Sequence, residues 1–197
     1  AVFYYQAVTV YMGLEKMDVD NETVVPGEGT EMQHHWDEAY GYLGATNDFP
    51  EDTENVRFWA NYCNGRDPII ESNEKLSGAL RTGRAAIDID DLEITDQAIT
   101  VAREEWEKVV AATAIHYLND GIQNLADDYE RNHDLSEAYA FIHSLMYNEE
   151  KSITNAEIEE VKALMGENFY EVTAEGLTAA RDKLAVIFGM EDVKTLL

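Results

Sequence analysis

The stretch Thr95–Arg131, TDQAITVAREEWEKVVAATAIHYLNDGIQNLADDYER, decides the fold class because it carries one helical pattern with a single glycine and no proline. Apolar residues return every three or four positions, the spacing of one helix face. They are Ile99, Ala102, Trp106, Val109, Val110, Tyr117, Leu118, Ile122, Leu125 and Tyr129. The pattern predicts one long helix over 95–131.

The same periodicity recurs on both sides of this stretch. The chain has only 3 prolines and 12 glycines, so long uninterrupted elements are favoured over many short strands. Helices are predicted at 2–15, 31–43, 56–62, 69–87, 135–148, 155–166 and 174–188. The helix over 135–148 is expected to start at Asp134, because Asp134-Leu135-Ser136-Glu137 has the spacing of a capping box. We therefore expect an all-α protein, an antiparallel up-and-down bundle of about seven or eight helices that forms a single helical domain over 1–197.

The charge of the chain limits the classes of partner. Its 40 acidic and 14 basic residues give a net charge of −26, which repels nucleic-acid phosphates and anionic lipid surfaces. No apolar run is long enough for a transmembrane segment. Two interpretations remain: an acidic surface that keeps the protein soluble in a salty medium, or carboxylates that attract metal cations.

The predicted helix 31–43 carries the best candidate site. At 100° per residue, Glu31, His35, Glu38 and Tyr42 form a column beside the apolar face. Imidazole with carboxylates suits iron, zinc or manganese, especially in a helical bundle. The alternative is that His35 only packs and hydrogen-bonds in the core. His34 is expected on the surface.

Four stretches of the chain resemble one family of proteins. They are MQHHWDEAYGYLG at 32–44 with Asp48-Phe49-Pro50, LRTGRAAID at 80–88, AATAIHYLN at 111–119 and LSEAYAF at 135–141. Together they resemble uncharacterised bacterial envelope proteins related to imelysin. The resemblance covers nearly the whole chain.

The resemblance implies a function as well as a fold. Imelysin-like proteins are all-α helical bundles of the bacterial envelope, often lipoproteins and often linked to iron uptake. Their Gly-x-His-x-x-Glu signature matches at His35 and Glu38, whereas Gln33 replaces the glycine. The expected protein is thus a periplasmic or surface protein of the bacterial envelope that binds iron or zinc through His35, Glu38 and Glu31, and is the C-terminal part of a longer precursor.

Enzymatic readings lack their motifs. The peptidase activity once assigned to imelysin relatives has no support, because the His-Glu-x-x-His pattern of zinc peptidases is absent. Cys63, the single cysteine, has no catalytic motif around it and is expected to be a buried thiol.

Two further hypotheses stay open. The loop after the first helix offers Asp18, Asp20 and Glu22 as a weak Ca²⁺ site, although it lacks the glycine and glutamate of an EF-hand, and a plain acidic loop is the favoured interpretation. The chain is alternatively an assembly module that forms a homo-oligomer, or associates with a missing N-terminal portion. Aromatic residues of its first helix, Phe3 and Tyr5 among them, would then form the interface.

Overall fold

The computed structural model describes residues 1–197 and confirms the all-α class. The helices are α1 (Val2–Tyr5), α2 (Leu14–Met17), α3 (Glu31–Leu43), α4 (Phe58–Ile70), α5 (Ser72–Asp88), α6 (Leu92–Gln123), α7 (Asp128–Ser144), α8 (Asn155–Met165) and α9 (Ala174–Ile187). A π-helical segment (Gln6–Tyr11) and a 3₁₀ turn (Leu145–Tyr147) complete them. No strand forms, and seven of the nine helices, α3 to α9, have 11 or more residues. The antiparallel order remains a prediction.

The chain divides into two compact units. The N-terminal unit contains Val2–Trp106 with Tyr147–Glu150, and the C-terminal unit contains Glu107–Met146 with Lys151–Leu197 and Ala1. Helix α6 contributes residues to both units. Whether the two units form a single domain stays a prediction.

Helix α3 has the predicted bounds because both of its ends are capped. Thr30 accepts a hydrogen bond from the Gln33 backbone, and the Gln33 side chain accepts one from the Thr30 backbone, which satisfies two N–H groups at the helix start. Gly44 ends the helix with φ at 80°, a left-handed conformation that favours glycine.

The core of the N-terminal unit forms around Trp36 on α3. Its side chain is 1% exposed, and its indole Nε1 donates to the Leu80 carbonyl of α5 at 2.9 Å. A Cβ at Gly83 would overlap the Trp36 ring, so a glycine lets α5 pack closely on α3 here. This packing fixes how α3 presents its other side chains.

The first predicted helix, 2–15, is interrupted. In the π-helical segment the Met12 backbone N–H bonds the Ala7 carbonyl, and the chain bends at Gly13 before α2 begins. Arg103 of α6, itself 5% exposed, donates to the Val8 and Met12 carbonyls at 2.9 and 3.2 Å. The guanidinium satisfies carbonyls that a straight α-helix would have used, and it thereby holds the bend.

The long helix predicted over 95–131 was wrong at its C-terminal end. Helix α6 stops at Gln123, and Asp127 caps the start of α7 by accepting the Tyr129 and Glu130 backbone N–H groups. The predicted helix start at Asp134 was also wrong, since Asp134 lies buried within α7 and accepts a hydrogen bond from Asn124 at 2.9 Å. Asp134 has the sequence spacing of a helix cap, but its buried carboxylate binds the Asn124 amide instead of a helix start.

Helix α4 extends further than the predicted segment 56–62. It passes through Asn64 and Gly65 and contains Pro68 in its last turn. Proline there removes only one hydrogen bond near a helix end. Asp67 accepts the Asn73 backbone N–H at 2.7 Å and so caps the junction with α5.

Candidate metal site on helix α3

His35 is sheltered, as the sequence predicted, and its hydrogen bonds define its tautomer. The residue is 7% exposed, and its Nδ1 lies 2.8 Å from the Lys16 carbonyl oxygen. A carbonyl can only accept, so Nδ1 carries the proton. The Nε2 atom lies 3.4 Å from the Lys16 ammonium, which can only donate. The imidazole is therefore neutral, with the lone pair of Nε2 directed at a positive charge.

Lys16 provides that charge, and no acidic partner neutralises it. The half-buried side chain places its ammonium 5.8 Å from the centre of the Tyr11 ring, and no carboxylate lies within 4.0 Å of it. Tyr11 in turn packs against His35, with ring centres 6.0 Å apart. The ammonium thus stands beside the imidazole lone pair.

Glu38 lies near this group but pairs with a different histidine. Its carboxylate is 3.7 Å from Nε2 of His34, and no ion pair joins it to His35. The pKa of Tyr11 is raised above 10.0 by burial, and then by the charge of Glu38 and by Tyr42, with hydrogen bonds to both. Glu38 is therefore linked to His35 indirectly, through Tyr11 and through His34, whose ring centre lies 6.2 Å from that of His35.

Glu31 is separated from this arrangement. It is exposed and, with His34, lines a cavity of about 270 Å³ that also receives Asp20 and Glu28. No group of three or more His, Cys, Asp or Glu side chains is close enough together to hold a metal ion. The three predicted ligands thus do not converge on one point: His35 lies beside Lys16, Glu38 beside His34, and Glu31 at the acidic cavity that His34 also lines.

Three residues that contact His35 or Glu38 were not predicted from the sequence to do so. His34 is exposed, as predicted, but its i,i+4 spacing to Glu38 was a visible sign of the pair. Lys16 and Tyr11 had no such sign. They reach His35 because the chain bends at Gly13, and that bend depends on Arg103 far along the sequence.

The arginines of α5 make ion pairs with nearby carboxylates. Arg84 bonds Asp37 at 2.8 Å and also Asp88. Burial lowers the pKa of Arg84, but hydrogen bonds and charge from these two carboxylates outweigh it and raise that pKa overall. Arg81 donates to the Phe49 carbonyl at 2.6 Å.

The loop proposed for Ca²⁺ is held by its own hydrogen bonds. One oxygen of Asp20 accepts the backbone N–H groups of Glu22 and Thr23. A hydrogen bond from the Thr23 side chain, and then these two backbone bonds, lower the pKa of Asp20. Asp18 and Glu22 are exposed. Weak calcium binding here stays a prediction.

Cys63 is a buried thiol, as predicted. The side chain is 0% exposed and bonds the Ser72 hydroxyl at 3.4 Å. Burial raises the pKa of Cys63 from 9.0 to about 12, so the nucleophilic thiolate is scarce near neutral pH.

Fold and site together define an acidic, all-helical protein with a buried imidazole whose lone pair faces a cation. No helix is both long and apolar enough to cross a bilayer. The chain belongs to the family described as a domain of unknown function (DUF4856), which it matches over residues 4–191. No curated protein and no solved structure matches it.

Proposed function

We propose that this chain is a non-enzymatic, imelysin-like protein of the bacterial envelope that binds a transition-metal ion, iron first, through His35 and Glu38. The observation that carries the proposal is the state of His35: a buried, neutral imidazole whose Nε2 lone pair faces a positive charge. The imelysin relation, the envelope location and the preference for iron come from the motif resemblance around Trp36.

The hydrogen bond on Nδ1 supports a ligand role for His35. Histidines that bind metals almost always donate their second ring N–H to a carbonyl, a carboxylate or water, which fixes the ring and makes the other nitrogen more basic. The Lys16 carbonyl does this for His35 at 2.8 Å. The ring is thus oriented before any ion arrives.

The Lys16 ammonium supports the presence of a cation site beside that nitrogen. Lys16 has a flexible four-carbon stem, so its ammonium can swing out to solvent while its backbone carbonyl keeps hold of His35. An entering metal ion replaces one positive charge by another. Glu38, one turn along α3, then supplies an oxygen ligand, and the charge of −26 raises the local concentration of cations.

The test is metal content with a matched histidine control. Protein purified without chelators is loaded with Fe²⁺ under anaerobic conditions, or with Zn²⁺, and assayed by elemental analysis. Wild type should retain stoichiometric metal, and His35→Ala or Glu38→Gln should weaken retention by at least about tenfold. His143→Ala, which removes another lysine-bonded imidazole, should retain wild-type metal. Equal metal in the His35→Ala and His143→Ala proteins would refute the proposal.

A second candidate function is self-assembly, which the apolar surface near α1 and α4 favours. Val2 is 67% exposed and Phe58 52%, and the Phe58 ring packs edge-on against Phe3 with centres 4.8 Å apart. Phe58 also has a φ of 49°, a strained conformation for a bulky residue, costing of order 1–3 kcal/mol. A strained backbone together with an exposed aromatic ring is consistent with Phe58 contacting a second copy of the chain.

Oligomeric state in the presence of a chelator tests this second function. Light scattering coupled to size exclusion should show an oligomer that persists in EDTA and dissociates in Phe58→Ser, while Tyr170→Ser, which removes a 69%-exposed ring elsewhere, leaves it intact. A wild-type chain that stays monomeric at all concentrations would eliminate assembly.

A further inference from the structure

The C-terminal unit contains a cavity of about 600 Å³ whose lining combines aromatic rings with charged groups. Tyr139 of α7 and Phe169, which follows α8, form its aromatic part, with ring centres 6.4 Å apart in an edge-to-face arrangement. Lys162, Glu159 and Glu167 supply the charges. The volume falls in the range of small-molecule sites.

Lys162, the one cationic side chain that lines this cavity, already has an ion-pair partner and a hydrogen-bond partner. The Lys162 side chain is 10% exposed, and its ammonium lies 2.8 Å from a Glu159 oxygen and 3.0 Å from Nδ1 of His143. It also lies over the Tyr139 ring, 5.1 Å from the centre. Because Glu159 cancels the charge of Lys162, little positive potential is left to attract an anion.

The negative groups of the cavity are not all satisfied. Glu167 is exposed and has no ion-pair or hydrogen-bond partner. The last turn of helix α8 borders the cavity through Ala163 and through Gly166, which follows the last helical residue, and the C-terminal end of a helix carries partial negative charge. The lining therefore has a net negative charge beside aromatic faces, the combination that recognises organic ammonium ions.

We propose that this cavity is a binding site for a small organic cation with a flat apolar body, an arylammonium in the simplest case. The ammonium contacts the Glu167 carboxylate and the carbonyl end of α8, and the apolar body packs against Tyr139 and Phe169. Lys162 is a positioning residue: its bonds to Glu159 and His143 hold it on Tyr139 and keep the ring in place.

An NMR titration of the full chain with benzylammonium tests the proposal. Amide signals of Ala163, Gly166 and Phe169, which line the cavity, should shift to saturation. Benzoate, with a carboxylate in place of the ammonium group, should leave them unmoved. Benzyl alcohol should bind at least about threefold more weakly, since it lacks the charge. Shifts that do not saturate, or equal binding of the alcohol or of benzoate, would overturn the proposal.

Matched variants measure the contributions of the Glu167 carboxylate and of the Tyr139 ring to binding separately. Glu167→Gln should weaken benzylammonium about threefold, while Glu171→Gln, the same charge change on an exposed residue outside the cavity, should leave Kd unchanged. Tyr139→Leu should weaken it about threefold, and Tyr139→Phe should restore wild-type affinity because the aromatic face is retained. Equal effects of Glu167→Gln and Glu171→Gln would show that only the overall charge acts, and would also overturn it.

Discussion

Each unit contains a lysine bonded to a histidine beside a tyrosine ring, and the two groups differ in one charge. In the N-terminal unit the Lys16 ammonium is 3.4 Å from a His35 nitrogen and 5.8 Å from the Tyr11 ring centre. In the C-terminal unit the Lys162 ammonium is 3.0 Å from a His143 nitrogen, over a tyrosine ring, and also 2.8 Å from the Glu159 carboxylate. Lys16 has no such carboxylate.

This difference assigns different roles to two similar groups. A half-buried ammonium without a carboxylate gains little from its position, so another cation can replace it at small cost. An ammonium paired at 2.8 Å would leave an unpaired carboxylate behind if it moved. We therefore interpret the Lys16–His35 group as exchangeable, and the Lys162–His143 group as a fixed support for the cavity next to it.

The largest expected effect is on stability, where the two histidines should differ. His35→Ala should lower the free energy of unfolding by about 2–4 kcal/mol, because it opens a cavity and leaves the Lys16 carbonyl without its donor. His143→Ala should cost about 1 kcal/mol or less, since that side chain is only half-buried. Urea unfolding followed by circular dichroism measures both values. Equal losses would mean that the bond from His35 to the Lys16 carbonyl contributes nothing to the fold.

The next effect concerns metal affinity and distinguishes the two lysines. Lys16→Met keeps the apolar stem but removes the competing ammonium, so Zn²⁺ should bind about tenfold more tightly, a change of about 1.4 kcal/mol. Lys162→Met should leave the affinity unchanged. Competition against a chromophoric zinc indicator gives both constants. A Lys16→Met protein with wild-type or weaker affinity would show that the ammonium does not occupy the ion's position.

The sequence predicted the parts of the site that depend on local signals. Helix α3 has the predicted bounds because its apolar stripe and Gly44 are local signals, and the capping groups that fix its start, Thr30 and Gln33, lie next to it in the sequence. The burial of His35 followed from its place beside the apolar face of the helix that carries Trp36. Each of these features is determined within about one helical turn of the residue concerned.

The partners of His35 could not be predicted in the same way. Lys16 and Tyr11 reach it only because the first helix is broken, and the break is held by Arg103, which lies 95 and 91 positions from the two carbonyls it binds. A helical pattern of apolar residues reports neither a bend nor a distant side chain that supplies its hydrogen bonds. For the same reason the helix start predicted at Asp134 was wrong, because the amide partner of this carboxylate, Asn124, belongs to the turn after another helix.

The smallest expected effect is on the pKa of Tyr11. In the N-terminal unit the carboxylate of Glu38 interacts with the Tyr11 phenol and not with Lys16. Burial, and then the charge of Glu38, raise the pKa of Tyr11 above 10.0. In the unfolded chain Tyr11 ionises near pH 10, while in the folded chain it keeps its proton to higher pH, so Tyr11 makes folding less stable as pH rises above 10. Glu38→Gln should lower the pKa of Tyr11 and reduce this loss.

Glu31→Gln, the same charge change at an exposed residue, should leave the pKa of Tyr11 unchanged. NMR of ¹³Cζ-labelled tyrosine, with the Tyr11 signal identified in Tyr11→Phe, measures the shift, and equal shifts in both variants would mean that Glu38 acts only through overall charge.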